Sequence, residues 1–375
     1  MEAMAAMRQL GTAVIGLGVG RTHVQAYASL EESRLVAVCD GNRERLEPVA
    51  RQYQVKGYAA VEELLTDPEV EVVSICTPHP SHAALAIQVA RAGRHVIVEK
   101  PMALDPADAD RMIDAAQEHG VKLGGIFQRR FWAASQRVRS AIDEGKLGRV
   151  IGGELFLSKP RTEQYYARDP WRGHWATEGG GVLVNTGMHG LDLFQWYLGE
   201  AQCLWARWAN LSHPGVEVED NVAAAVQFKS GALGTIRATT SLRLSQIAVV
   251  IHGSNGATVG ILEEPEGVVG YNHVWTVPGE ERLASESYQQ YLEQGEYMYQ
   301  VGSGDGRLVW TSGFVHKHEA SPSYHALQLR DFLQAILANR TPLVSGHEGR
   351  RSVELMHAIY KSGRTGQPVV FAPTA

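Results

Sequence analysis

Three glycines near the start of the sequence lie at alternate positions, Gly16, Gly18 and Gly20, directly after an apolar run. The first glycine permits a tight turn, the second lets the backbone approach a pyrophosphate, and a following helix offers free N–H groups to its oxygens. Asp40 lies 20 residues beyond Gly20, where a carboxylate accepts hydrogen bonds from both ribose hydroxyls of NAD and repels a 2′-phosphate. A plain helix N-cap is the alternative for Asp40, and Arg43 could meet a 2′-phosphate or stack on adenine. The spacing favours an NAD site.

Two later residues have side chains suited to hydrogen bonding and proton transfer. Lys100 directly follows an apolar run, so we expect it at the carboxyl end of a parallel strand, beside the crevice where such sheets bind ligands. A histidine titrates near neutral pH, so His189 can accept the proton of an alcohol while that alcohol is oxidised. The alternatives are a surface ion pair between Lys100 and Glu99, and a helix-face histidine hydrogen-bonded to Asp192. These residue types are suited to hydrogen bonding and proton transfer at a hydroxyl group.

The elements that would position these residues alternate over the first 130 positions. Apolar runs predict strands over 12–15, 35–39, 72–76, 96–98 and 123–126. Helix-period stretches between them predict helices over 21–30, 43–53, 83–92 and 106–119. The last of these has Asp105 as N-cap and Pro106 at its first position, which is a helix start signal. Repeated β–α alternation predicts a doubly wound parallel sheet of the Rossmann type, with helices on both faces.

The pattern changes from about residue 150. Strands joined by short turns are predicted over 151–157, 203–211, 221–228, 233–241, 247–253 and 258–262, and helices over 189–197, 325–338 and 348–361. Hairpin order predicts an open, mostly antiparallel sheet, so the fold class is α/β with a C-terminal α+β domain. We predict an NAD-binding domain over 1–130 and a substrate-binding and oligomerisation domain over 131–375, whose helices over 325–361 pack back toward the first domain. Residues 263–307 have no assignable pattern.

The motifs together resemble the glucose–fructose oxidoreductase, inositol dehydrogenase and rhizopine-catabolism (Gfo/Idh/MocA) family, over nearly the whole chain. The resemblance is carried by Gly16 to His23, Asp40, Thr77 and Pro78 with His82, the Glu99-Lys100-Pro101 signature, Arg129 with Arg130, the glycine-rich segment before His189, and the closing 345–368 region. It implies a carbohydrate substrate and NAD as cofactor. The implied cofactor contacts are Gly16, Gly18, Val19, Gly20, Asp40, Arg43, Thr77, Pro78, His82, Glu99, Lys100 and Pro101.

The chain departs from the family pattern at Asn185, where the best-studied dehydrogenases have an aspartate. An amide can position a hydroxyl or a ring, but it carries no charge and takes no proton. We therefore expect the catalytic residues to be Lys100, His189 and Asn185, with proton transfer falling on His189. We also expect Asn185→Asp to be tolerated, because aspartate is nearly isosteric. Some relatives that oxidise nucleotide-linked or glycosidic sugars resemble this asparagine version.

The resemblance also places the loop over 159–175 at the border of the sugar. Aromatic rings stack against the C–H faces of sugars, and cations hold carboxylates or phosphates. The expected substrate contacts are Arg129, Lys159, Arg161, Tyr165, Trp171, Arg172, Asn185 and His189. A solvated loop that contacts a neighbouring subunit is the alternative for this segment.

The leading function is an NAD-dependent oxidoreductase acting on a secondary hydroxyl of a sugar, sugar acid or polyol. An NAD-dependent glycoside hydrolase that works by transient oxidation and elimination uses the same residues, but it accumulates no NADH. A catalytically idle NAD-binding regulator would lack Lys100 or His189, and both are present. A metal hydrolase could draw on His174, Glu178, His189 and Asp192, yet the sequence has no compact ligand motif, so no metal is expected.

Composition excludes several other classes. Lys and Arg number 35 against 41 Asp and Glu, a net charge of −6, which argues against a nucleic-acid partner. No run of 18 apolar residues and no N-terminal apolar region occur, so neither a membrane span nor a secretory signal is expected. Three widely separated cysteines suit a reducing cytoplasm. An exposed sheet face in the second domain favours a homodimer or homotetramer.

Overall fold

The computed structural model describes residues 8–263, 270–280, 298–302, 308–312 and 324–372. Most of the N-terminal stretch tested for a secretory signal, and much of the unassigned segment 263–307, lie outside the described residues. The chain divides into two compact units, one formed by 1–128 with 322–354 and the other by 129–321 with 355–375. No helix in the described ranges is long and apolar enough to cross a membrane.

The first unit is built on a parallel sheet of six strands, in the order β3-β2-β1-β4-β5-β6. The strands are β1 (Leu10–Ile15), β2 (Ser33–Cys39), β3 (Lys56–Tyr58), β4 (Val72–Ile75), β5 (His95–Val98) and β6 (Leu123–Gly125). Every residue of β1 and β4 is buried, as expected for the central strands of a parallel sheet covered on both faces. The predicted doubly wound fold is confirmed.

The helices of this unit follow the predicted β–α alternation. They are α1 (Gly20–Ser29), α2 (Arg43–Tyr53), α3 (Val61–Leu65), α4 (His82–Arg91), α5 (Pro106–Glu118) and α9 (Tyr324–Leu337). Asp105 caps α5 by accepting a hydrogen bond from the Ala107 N–H at 2.8 Å, and Pro106 occupies the first position. Short β3 and α3 escaped prediction because three and five residues are too few to display a period.

The second unit is built on a mixed sheet of eight strands, in the order β13-β12-β11-β7-β10-β9-β8-β16. The strands are β7 (Val150–Ser158), β8 (Ala201–Ala209), β9 (Asn221–Phe228), β10 (Leu233–Thr239), β11 (Gln246–Gly253), β12 (Thr258–Glu263), β13 (Gly270–Trp275) and β16 (Val369–Val370). Neighbours pair antiparallel except β7 and β10, which run parallel from Gly152↔Leu233 to Ser158↔Thr239. The mostly antiparallel sheet is confirmed, and the parallel pair arises where β7 lies between two later strands.

The remaining elements include a two-stranded ribbon, β14 (Met298–Gly302) with β15 (Leu308–Ser312). The helices of the second unit are α6 (Ala133–Asp143), α7 (Glu163–Ala167) and α8 (Met188–Leu198), and α8 is preceded by a π-helical turn over Leu183–Gly187. The last helix, α10 (Gly346–Thr365), contributes its first part to one unit and the rest to the other. Cys39 and Cys76 are buried, Cys203 is half-buried, and all three are free thiols.

Candidate active site

The glycine-rich loop of the first unit joins β1 to α1, and glycine is required at each of its three positions for a different reason. Gly16 has a φ of +88°, and a Cβ there would lie 2.7 Å from the Cys76 carbonyl oxygen. A Cβ on Gly20 would lie 2.9 Å from a methyl of Val14, so this glycine lets α1 pack against the sheet. A Cβ on Gly18 would meet nothing within 4 Å. Gly18 therefore has no packing reason within the protein, as expected where the backbone faces a ligand.

Asp40 is tied to this loop. Its Oδ2 accepts a hydrogen bond from the Leu17 N–H at 2.8 Å, and its Oδ1 accepts one from the Asn42 N–H at 2.8 Å. The helix N-cap is Asn42, whose side chain accepts from the Glu44 N–H, so the N-cap alternative for Asp40 does not apply. Arg43 is the exposed first residue of α2. The half-buried Asp40 carboxylate lies at the carboxyl end of β2, where a ribose is bound in dinucleotide sites.

A buried histidine joins two other loops of this unit. The ring nitrogens of His82 lie 2.8 Å from the Pro101 carbonyl oxygen and 2.8 Å from the Thr77 carbonyl oxygen. Burial lowers the pKa of His82, although both carbonyls oppose that shift. The Lys100–Pro101 peptide bond is cis, and the Thr77 hydroxyl lies 2.6 Å from that of Ser81. His82 thus fixes the two backbone segments on which the expected cofactor contacts at 77–78 and 99–101 lie.

Glu99 is buried among histidines and does not lie at the surface. Its Oε1 lies 3.2 Å from His23 Nε2 and 3.8 Å from His325 Nε2, and its Oε2 accepts from the Lys100 backbone N–H at 3.0 Å. Burial raises the pKa of Glu99, but the two histidines outweigh burial and hold it well below the usual range. Ligand atoms of the three residues lie within 4.8 Å of one another, a spacing that suits a metal ion. Burial lowers the pKa of His23 against the opposing effect of Glu99, and His23 Nε2 and Glu99 Oε1 lie within hydrogen-bonding distance.

In the second unit, a buried carboxylate holds the glycine-rich segment that leads into α8. Glu219 accepts hydrogen bonds from the Gly181 N–H at 2.7 Å, the Leu183 N–H at 3.1 Å and the Tyr360 hydroxyl at 2.9 Å. Burial raises the pKa of Glu219 to about 7, with these donors opposing the shift. A Cβ on Gly181 would lie 1.9 Å from the Glu219 carbonyl oxygen, so close packing requires glycine at this position. Glu219 and Tyr360 escaped prediction because they lie far from the segment in sequence.

Asn185 and His189 lie four residues apart across the junction of the π-helical turn and α8. His189 is buried. The Asn185 Nδ2 donates a hydrogen bond to Glu178 Oε1 at 2.8 Å, and the Thr186 hydroxyl donates to Asn185 Oδ1 at 3.3 Å. Asp192 instead accepts two hydrogen bonds from Arg130, at 2.8 and 2.7 Å. The helix therefore presents a histidine and an oriented amide, while the Asp192 charge is balanced by Arg130.

The cations expected at the substrate fall into two groups. Arg129 forms a buried ion pair with Glu263 at 2.6 Å, and the charges of Arg129 and Lys159 oppose the rise that burial causes in the pKa of Glu263. Arg172 donates to Asp169 at 2.8 Å and to the Tyr165 hydroxyl at 2.5 Å, and its guanidinium lies over Trp171.

Arg161 forms the second group by itself. Its guanidinium lies 4.4 Å from the Tyr165 ring centre, and its Nη2 reaches the Thr186 hydroxyl at 3.4 Å. Among the described residues, Arg161 has no carboxylate partner, in contrast to Arg129 and Arg172. Of these three arginines, Arg161 alone retains an unbalanced charge beside the Asn185 segment.

Comparisons with known proteins agree with this division of the chain. The family model described as "Oxidoreductase family, NAD-binding Rossmann fold" (GFO_IDH_MocA) matches residues 10–127, within the first unit. The model of the GFO/IDH/MocA C-terminal domain matches residues 135–259, within the second. The two matched ranges together cover more than half of the chain.

Several individual relatives are named for sugar or inositol substrates. The chain is 31% identical over 218 residues to 1,5-anhydro-D-fructose reductase of Ensifer adhaerens, covering 57% of this chain and 65%, just under two thirds, of the relative. It is 26% identical to myo-inositol 2-dehydrogenase of Thermotoga maritima, covering 93% of this chain and 95% of the relative. Among solved structures, the WlbA dehydrogenase from Bordetella pertussis, in complex with NADH and UDP-GlcNAcA, superposes with a TM-score of 0.80 at 26% identity, covering 98% and 100% of the two chains.

Proposed function

This chain belongs to the GFO/IDH/MocA family of NAD-binding oxidoreductases, and from that membership we propose that it oxidises a secondary hydroxyl of a sugar, sugar acid or polyol. The observation that carries the proposal is the glycine-rich loop, where a Cβ on Gly18 meets nothing within 4 Å and Asp40 is fixed beside the loop. Relatives named as a myo-inositol dehydrogenase and an anhydrofructose reductase support a carbohydrate substrate.

The residues of the first unit fit NAD. The loop Gly16, Gly18, Val19 and Gly20 would hold the pyrophosphate, since α1 begins there with free N–H groups. Asp40 would accept hydrogen bonds from the ribose, and Arg43 would lie at the adenine. The remaining contacts are proposed from Thr77, Pro78, Glu99, Lys100 and Pro101, whose backbone is fixed in part by His82. When bound, NAD supplies the hydride acceptor of the reaction.

His189 is proposed as the base that accepts the alcohol proton. Its support is the placement of a buried histidine at the start of α8, four residues from an amide whose orientation is fixed. A neutral imidazole nitrogen takes a proton at physiological pH, whereas the Asn185 amide takes none. Asn185 is proposed to orient the reacting hydroxyl. Lys100 is the second residue after β5, and it is proposed to hydrogen-bond the alcohol oxygen.

Arg161 is proposed to bind an anionic group of the substrate, either a carboxylate or a phosphate. The support is its lack of a carboxylate partner among the described residues and its position against Tyr165 and Thr186. Arg129, Lys159 and Arg172 contribute less charge, because Glu263 and Asp169 lie against them. Tyr165 and Trp171 would contribute ring faces to the sugar.

The exposed face of the eight-stranded sheet is proposed to pair with a second copy of the chain. Trp205 on β8 is 43% exposed and Leu233 on β10 is 65% exposed, and the strand register places both on this face. Light scattering on wild type and Leu233→Lys tests the proposal. We expect a dimer or tetramer for wild type and a smaller species for the variant; a monomeric wild type would contradict it.

The function is tested with sugars, sugar acids and glycosides incubated with NAD, while absorbance at 340 nm and product release are both followed. We expect NADH to accumulate with at least one substrate and His189→Ala to abolish most of that rate. Release of a glycosidic group without net NADH would instead identify a redox-neutral glycoside hydrolase.

A further inference from the structure

A fully buried carboxylate, Glu178, lies directly beside Asn185. It is in the turn that precedes three consecutive glycines. Its Oε1 accepts a hydrogen bond from Asn185 Nδ2 at 2.8 Å, and its Oε2 accepts one from the Gly173 N–H at 2.7 Å. The Nη1 of Arg172 lies 3.7 Å from Oε1. Glu178 therefore lies among donors, one of which is the side chain of Asn185.

A carboxylate accepts hydrogen bonds and donates none, so only the NH₂ side of the Asn185 amide can face Glu178. The amide oxygen must then lie on the other side, where it accepts from the Thr186 hydroxyl at 3.3 Å. A primary amide could otherwise turn by 180° with little change in shape. Contact with Glu178 removes that freedom and gives the site a defined acceptor at position 185.

We propose that Glu178 is the positioning residue of this site: it orients the Asn185 amide so that its oxygen accepts from a substrate hydroxyl, and it makes asparagine, not aspartate, the residue required at 185. The part of this inference that concerns a substrate hydroxyl rests on the proposed function. A carboxyl group therefore lies at position 178, one hydrogen bond from the Asn185 amide. This replaces the expectation that Asn185→Asp is tolerated.

In Asn185→Asp, a carboxylate oxygen would replace Nδ2, which lies 2.8 Å from Glu178 Oε1. Two carboxylate oxygens would then face each other at about that distance. Two carboxylates at such a distance cannot both ionise, and the pair shares one proton. The other titratable groups facing Glu178 do not relieve this. Arg172 carries one positive charge, which it shares between Asp169 and Glu178, so it cannot balance a further carboxylate. Burial raises the pKa of Tyr166 to about 12 and that of Tyr360 well above its usual value, so both phenols stay neutral.

The test compares wild type, Asn185→Asp, Glu178→Gln and the double variant Glu178→Gln/Asn185→Asp, with exposed Glu163→Gln as the matched control. At pH 8 we expect the kcat of Asn185→Asp to be roughly 10- to 100-fold below that of wild type, as for a misplaced catalytic group. The kcat should recover as pH falls, because the two carboxylates at 178 and 185 then share a proton. The double variant should regain most of the loss and show no such pH dependence, because a neutral amide then faces the aspartate. Glu178→Gln should mainly raise KM. An Asn185→Asp enzyme with wild-type kcat and pH profile would overturn the inference, as would a double variant no better than Asn185→Asp.

A second readout needs no substrate. The Tm of Asn185→Asp should fall relative to wild type as pH rises from 5 to 8, because its shared proton is lost from a raised folded-state pKa. The double variant should follow wild type across this range. Parallel Tm curves for Asn185→Asp and wild type would overturn the coupling of the two positions. If no carbohydrate is oxidised by wild type, the proposed function fails, while these curves still decide the Glu178–Asn185 coupling.

Discussion

The Asp40 carboxylate accepts a hydrogen bond from the Leu17 N–H at 2.8 Å, which connects the end of β2 to the glycine-rich loop. One oxygen therefore braces the loop that would hold a pyrophosphate, and the other binds the Asn42 N–H at the start of α2. Asp40 links two parts of a nucleotide site, so its substitution should affect both cofactor choice and affinity.

The first prediction is a preference for NAD over NADP by about 10- to 100-fold, or ~1.4–3 kcal/mol, because Asp40 would bond the ribose hydroxyls and repel a 2′-phosphate. Asp40→Ser should reduce the difference in affinity between NAD and NADP. It should also weaken NAD binding, because the loop loses the hydrogen bond from the Leu17 N–H to Asp40. Calorimetric titration with both cofactors measures this. Equal or tighter NADP binding by wild type would contradict the assignment.

Gly18→Val should abolish most NAD binding while leaving the Tm of the free protein nearly unchanged. The reason is that a Cβ on Gly18 meets nothing within 4 Å inside the protein but would occupy the pyrophosphate position. Gly20→Val should instead lower the Tm of the free protein, because its Cβ would lie 2.9 Å from Val14. Normal NAD binding by Gly18→Val would place the phosphate site elsewhere.

Arg161→Gln should raise KM for an acidic sugar by about tenfold, since a charge-assisted hydrogen bond contributes ~1.5 kcal/mol or more, and should leave a neutral sugar little affected. Binding of the acidic sugar to wild type should also weaken with added salt. Exposed Arg168→Gln, which removes a cation paired with Asp169, serves as control. If the KM values of wild type were the same for acidic and neutral sugars, the segment around Arg161 would be a solvated loop that binds no anionic group.

The pKa of Glu219, raised by burial to about 7, predicts a pH-dependent stability. The folded state holds the proton more tightly than the unfolded state, so the free energy of unfolding falls as pH rises from about 4.5 to 7. In Glu219→Gln the free energy of unfolding should fall by about 1–3 kcal/mol less over this range, because no carboxyl group titrates at 219. The stability of the variant relative to wild type should therefore increase between pH 5 and pH 8. Urea unfolding at both pH values measures the difference, with exposed Glu163→Gln as control. An identical pH dependence in Glu219→Gln and wild type would show that Glu219 does not titrate there.

Local signals predicted much of the fold. The helical period of 43–53 predicts a helix with the bounds that the structure has, and the structure adds Asn42 as its N-cap. The central strands β1 and β4 are short runs that are buried on both faces, so they stand out in the sequence. The parallel pairing of β7 with β10 could not be read from hairpin order, since it depends on which later strands flank β7.

The candidate site was predictable only in part, because contacts between residues far apart in sequence leave no local signal. Residue types and spacing indicated the glycines, Asp40, Lys100 and His189, whose chemistry is carried by local motifs. The partners that change what a side chain can do lie far away in sequence: Glu263 beside Arg129, and Glu219 with Tyr360 beneath the glycine-rich segment. Glu178 is only seven residues from Asn185, but nothing in the sequence indicates that the turn directs its carboxylate to the amide.

The measurement that tests the central claim most directly is the turnover of His189→Ala and Asn185→Ala on one confirmed carbohydrate, with NAD binding measured in parallel. Loss of a general base costs about 10²- to 10⁴-fold, or ~3–5 kcal/mol, so His189→Ala should lose that much while its NAD affinity stays near wild type. Lys100→Ala should lose a comparable amount and also bind substrate more weakly. Asn185→Ala should cost less than either, because it removes orientation but no proton acceptor. Near-full activity in His189→Ala, or a larger loss in Asn185→Ala, would contradict the assignment of His189 as the base.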